Sequence, residues 1–153
     1  MKLLRASKGN FQFHLAVGEK RLLCEVLTFY PCVPPAHHQL SKSGILPDAA
    51  AASALLSEAL SEQRNENKRQ LVAFLSDPAR FVAVERGYRL SISPAEVEWL
   101  LQVLNDIRVG SWIKLGSPED PRLELNEKNM LDAWAMELAG EFEMQLLAAV
   151  NKS

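Results

Sequence analysis

No stretch of the chain reaches the run of about 18 apolar residues that a membrane-spanning helix needs, so no span is expected. Only two of the 153 residues are cysteine, too few for a disulfide framework and in keeping with a reducing compartment. The opening Met1-Lys2-Leu3-Leu4-Arg5 is not followed by a long apolar region, so no secretory leader is expected and the chain is read as cytoplasmic. Charge of one sign is not in excess. Seventeen Lys and Arg against 19 Asp and Glu leave a net charge of -2, which argues against a generic polyanion binder. The chain has no Gly-x-Ser-x-Gly, no phosphate-binding glycine-rich loop and no dinucleotide fingerprint. Its many carboxylates form no pair more suggestive than a solvated helix face. No catalytic, cofactor-binding or metal-binding set is expected, and the protein is not read as an enzyme.

The composition is that of one ordinary domain, residues 1–153, with 48% hydrophobic and 24% charged residues. That length is enough to bury a core without staples. Charge is unevenly placed. Arg64, Lys68, Arg69, Arg80, Arg86 and Arg89 outnumber the carboxylates between Glu62 and Arg89, whereas carboxylates dominate between Glu119 and Glu143. Two solvated faces of opposite sign are the simpler reading; steering of a partner or of a second copy is the other.

Phe11, Phe13, Leu15 and Val17 alternate with Gln12, His14 and Ala16 after a turn at Ser7-Lys8-Gly9-Asn10. That period of two predicts a β-hairpin over residues 2–17. Leu22, Leu23, Val26, Leu27 and Tyr30 make the stripe of a helix from Glu19 to Tyr30, stopped by Pro31. A long loop with Pro34, Pro35 and Gly44 follows, from Cys32 to Pro47. The longest helix is expected from Asp48 to Leu75. Its face of Leu56, Leu60, Leu71 and Phe74 is interrupted by Arg64 and Asn67, inside an entirely polar run from Ser61 to Arg69. Either that run projects into solvent or some of it meets polar groups on another helix. Residues 81–85 read as a short helix or a strand; Tyr88, Leu90 and Ile92 predict a strand that joins the hairpin.

Ser93-Pro94-Ala95-Glu96 is a capping box with proline at the first helical position. The helix it opens runs to about Trp112, with Val97, Leu100, Leu101 and Leu104 toward the core, Trp99 on the flank and Gly110 weakening the last turn. A last helix, capped by Asn126, carries Leu131, Trp134, Leu138, Phe142 and Leu146. Gly140 inside it costs about 1 kcal/mol relative to alanine, so close packing is expected there. The fold is therefore α+β and predominantly α-helical: four main helices with a small antiparallel β-sheet, made of the N-terminal hairpin plus one short strand.

Asn105 and Arg108 are three apart and share a helix face. With Trp99 and Asp106 they are the candidate interaction or structural polar network, reaching Glu62, Glu66 or Asn67 in the polar middle of the long helix. A buried arginine needs such a carboxylate. Cys24 and Cys32 are candidate redox residues if the chain after Pro31 folds back, and otherwise two inert thiols. Cys32 with His37 and His38 fits no standard zinc spacing.

The segment Trp99-Leu100-Leu101-Gln102-Val103-Leu104-Asn105-Asp106-Ile107-Arg108 resembles the W-L-x-x-L-N-D-L-R segment of a bacterial family of domains of unknown function, best represented in actinobacteria. Ile45-Leu46-Pro47-Asp48-Ala49 is similar to that family's L-P-D-A-Y stretch, and the Trp134 region to its final helix. Some members are described as oxidative-stress transcriptional regulators. The expected function is a non-catalytic regulatory or protein-interaction domain, working on a protein partner or as a homo-oligomer. A redox-responsive transcription regulator on DNA, or on a transcription-associated partner, is the alternative, and an enzyme of unrecognised type a further one. Nucleic acid is the less expected partner because a basic recognition helix is missing.

Overall fold

The computed structural model describes residues 1–7, 9–35, 49–119 and 124–152. In chain order the elements are β1 (Lys2–Ser7), β2 (Asn10–Leu15), α1 (Val17–Leu27), α2 (Ala49–Ser76), β3 (Phe81–Val84), β4 (Gly87–Ile92), α3 (Pro94–Lys114) and α4 (Met130–Val150). Among the described residues, four helices and a four-stranded antiparallel sheet form a predominantly helical α+β fold. Among the described residues no helix is long and apolar enough to cross a membrane.

The sheet order is β1-β2-β4-β3. Alternate side chains of a strand point to opposite faces, so β2 buries Phe11, Phe13 and Leu15 together. β4 pairs with β2 from Phe11↔Ile92 to Leu15↔Tyr88, which adds Leu90 and Ile92 to the same face. Residues 81–84 resolve as the fourth strand, at the edge beside β4. Phe-Val-Ala-Val suits a pleated surface, and Phe81 turns inward to stand nearly perpendicular to the Phe74 ring, centroids 5.9 Å apart.

α1 starts at Val17, where the Glu19 carboxylate accepts the Ala16 backbone N–H at 2.8 Å. It buries Leu23, Val26 and Leu27, while Leu22, placed in the same stripe by spacing, is exposed. Leu22 points about 100° from Leu23, which takes it off the buried arc. The helix ends at Leu27, and Tyr30 precedes a cis peptide to Pro31. Among its described side chains, α2 buries only Leu71 and Phe74. The predicted start of α2 at Asp48, and most of the loop from Cys32 to Pro47, lie outside the described residues.

α3 begins as its capping box requires: Ser93 Oγ accepts the Glu96 N–H at 3.2 Å, and Glu96 accepts the Ser93 N–H at 2.7 Å. Arg80 ties this corner down. Its Nη2 lies 2.6 Å from Glu96 Oε1, its Nη1 donates to the Ser91 carbonyl at 3.0 Å, and its guanidinium sits over the Phe74 ring. α3 buries Val97, Trp99, Leu100, Val103, Leu104 and Ile107, more large side chains than any other helix. Trp99 is buried rather than flanking, because Phe74 of α2 covers it at 5.7 Å, and Leu101 is only half-buried. A helix covered on several sides has no single stripe.

The last helix starts at Met130, with Asn129 rather than Asn126 at its N-cap. The Asn126 side chain is used inside the preceding turn, where it accepts the Lys128 and Asn129 N–H groups at 2.9 and 3.3 Å. Leu131 is consequently exposed, and α4 meets the core through Ala135, Ala139, Phe142 and Leu146. The Arg108–Glu143 and Lys114–Asp132 pairs run in opposite order along the two chains of residues, so α3 and α4 are antiparallel.

Candidate functional site

Two faces of α3 bear on function. Trp99, Val103, Asp106 and Gly110 are spaced three, four and seven apart and share one face. Arg108, nine residues from Trp99, points about 180° away. That geometry divides the network expected from the sequence into two separate clusters.

On the first face, Trp99 Nε1–H donates to Asn67 Oδ1 at 3.2 Å, and Asn67 Nδ2 donates to the Tyr30 hydroxyl at 3.0 Å. One amide thereby links α2 and α3 to the segment that follows α1. Burial pushes the Tyr30 phenol above its ordinary value; the Asp106 charge adds to this, while the Asn67 hydrogen bond and Arg64 oppose it. Seven residues along α3 from Trp99, Asp106 Oδ1 accepts the Cys32 and Val33 N–H groups at 2.6 and 3.3 Å. Arg64 Nη2 donates to the Val33 carbonyl at 2.6 Å. The chain just after Pro31 is thus held between a carboxylate of α3 and a guanidinium of α2. Gly110 makes room for it: a Cβ there would stand 2.3 Å from the Cys32 carbonyl carbon. These contacts tie α2 and α3 to one another and to this segment.

Of the polar run on α2, Arg64 and Asn67 turn inward, while Glu62 and Glu66 stay in solvent. Glu66 pairs with Arg69 of its own helix. Neither carboxylate reaches Arg108, which corrects the expected network. Arg108 instead donates from Nε to Glu143 Oε2 of α4 and from Nη2 to Asn105 Oδ1, both at 2.9 Å.

Cys24 and Cys32 are both free thiols. Burial pushes the Cys24 thiol above its ordinary value, against a smaller opposing effect of Lys20, and this lowers its thiolate fraction. Cys32 is buried, with its sulfur 3.6 Å from Ser111 Oγ. His37 and His38 lie outside the described residues. Among the described residues no three His, Cys, Asp or Glu side chains are grouped to hold a metal ion.

The second face carries a groove. Beyond the Arg108–Glu143 pair, α3 and α4 leave an open cleft of about 600 Å³. Its walls are Val109 and Trp112 of α3 and Met136 and Met144 of α4, and Gly140 lies between the two methionines. Trp112 is 38% and Met144 62% exposed. Glu137 and Glu141 stand along the α4 rim, and among the described residues neither is in an ion pair. An apolar surface with large exposed side chains and a charged rim is the usual make-up of a binding face. Sequence reasoning did not find it. Gly140 and the acidic stretch were its only signals, and both were visible without the partner helix that gives them meaning.

Comparison of the chain with protein-family models, with curated proteins and with solved structures found no match.

Proposed function

We propose that this protein is a non-catalytic regulatory domain that acts by binding another protein through the α3–α4 groove. The observation that carries the reading is the groove itself, with Trp112 and Met144 presented to solvent, Met136 half-buried, and Glu137 and Glu141 without a cationic partner among the described residues. Tryptophan anchors interfaces well, and methionine adapts its shape to the surface it meets. The basic segment of the sequence supports the same choice. Arg64, Arg69 and Arg80 are engaged within the chain, which leaves less of that segment for a phosphate backbone. The resemblance to the W-L-x-x-L-N-D-L-R family adds a bacterial cytoplasmic setting.

The test is co-purification of the full chain and its Met144→Glu variant from the native host, followed by rebinding with the purified candidate. A protein that binds the wild type directly and loses affinity for Met144→Glu supports the reading. Direct partners that bind both alike contradict it.

A second reading, a transcription regulator on DNA, has one observation in its favour. The open face of the sheet sets Lys2, His14 and Arg89 side by side across three strands, with Arg5 nearby. Lys2 and Arg89 stand on either side of His14, and an anionic partner would meet both cations at once. DNA affinity that falls steeply with salt and is lost in Arg89→Glu would favour this reading.

A further inference from the structure

Glycine is the poorest helix former after proline, and a mid-helix glycine calls for a reason. Gly110 has one inside the fold, in the Cys32 backbone that a Cβ would strike. Gly140 has none. A Cβ there would make an ordinary contact of 3.5 Å with Arg108 Cδ and come within 4 Å of no other described atom outside its own helix. The fold would accept alanine at Gly140 and gain helix stability. The missing Cβ instead opens the floor of the groove between Met136 and Met144.

The rim fixes the sign of what enters. Glu143 is neutralised by Arg108 at 2.9 Å, but Glu137 and Glu141 are exposed and have no cationic partner among the described residues. An antiparallel helix pair with an apolar trough offers the site that a third helix fills, and a glycine in the floor allows close backbone approach.

We propose that the groove receives one cationic amphipathic helix of a partner protein, its backbone laid over Gly140 and its basic flank along Glu137 and Glu141. The proposal rests on the protein-interaction reading above and adds the shape and charge of the ligand. Matched charge selects such a partner, and like charge rejects the alternative.

The experiment uses the full chain and two synthetic amphipathic peptides of about five helical turns. Both carry the same leucine face, one flanked by lysine and the other by glutamate. Affinity is measured by calorimetry for the wild type and for Gly140→Ala, with the melting temperature of each chain. The lysine peptide is expected to bind the wild type about tenfold more tightly than the glutamate peptide. Gly140→Ala is expected to melt about 3 °C higher and yet bind the lysine peptide roughly fivefold more weakly. A merely structural glycine would raise stability and leave affinity unchanged, and that result overturns the proposal. Equal binding of the two peptides overturns it too, while leaving the broader docking reading in place. Binding of neither peptide also overturns it, and the host-derived partner and Met144→Glu then decide the broader reading separately. Concentration-dependent dimerisation of the wild type, abolished in Gly140→Ala, would assign the groove to a second copy and overturn the proposal as well.

Discussion

Asp106 accepts two backbone N–H groups, of Cys32 and Val33, that no other described group satisfies. Hydrogen bonds to a charged group contribute more than neutral ones, and removing one partner leaves buried donors unpaired. Asp106→Ala should therefore cost about 2–3 kcal/mol of unfolding free energy, measured by urea denaturation. A change below about 0.5 kcal/mol, ordinary for a surface site, would refute this account of the N-D-I-R segment. Gly110 supplies a matching case. Alanine raises helix propensity there but drives its Cβ into the Cys32 backbone. Gly110→Ala should be destabilising by about 2 kcal/mol in the same assay, against the propensity trend. By contrast, Arg108→Ala breaks a half-exposed ion pair with Glu143 and should cost at most about 1 kcal/mol.

At the scale of elements, α2 is a long helix held by few buried side chains, Leu71 and Phe74, and by polar pins at Arg64 and Asn67. Asn67→Ala strands the Trp99 N–H and the Tyr30 hydroxyl. Amide exchange in α2 should then rise more than in α3, whose burial does not depend on that amide. Equal acceleration in both helices would contradict the pinning role. The corner of β4 and α3 responds to acid. Burial acts to raise the Glu96 carboxyl, but hydrogen bonds from Ser93 and the charge and hydrogen bond of Arg80 outweigh it and hold the group below its ordinary 4.5. A carboxyl lowered by folding stabilises the native state above its unfolded value, and that contribution disappears as pH falls through the lower folded value. The stability difference between wild type and Glu96→Gln should therefore shrink as pH falls from about 5 toward 3. Most of the architecture was legible in sequence, since the two-residue alternation of β2 and β4 and the Ser93-Pro94-Ala95-Glu96 cap are local signals. What spacing could not supply was the partner of each face. Trp99 looked peripheral because Phe74 comes from a distant helix. Arg108 was assigned to α2 because its true counterpart, Glu143, is 35 residues away.

At the scale of the whole molecule, two faces differ in charge. The open face of the sheet is basic at Lys2, Arg5 and Arg89, and the α3–α4 face is acidic at Glu137 and Glu141 around an apolar trough. Separation of this kind steers oppositely charged partners to different sides and sets which surface a given partner meets first. The polar cluster around Asp106 and Asn67 is spent on holding helices together. This leaves the α3–α4 groove as the face on which the functional account depends. The most direct test is hydrogen exchange of the full chain with and without its direct protein partner. Slowed exchange is predicted in the C-terminal half of α3, around Arg108 to Trp112, and in α4 around Met136 to Met144, with the sheet unchanged. Protection confined to β1, β2 and β4 would contradict the account and place the binding surface on the open face of the sheet.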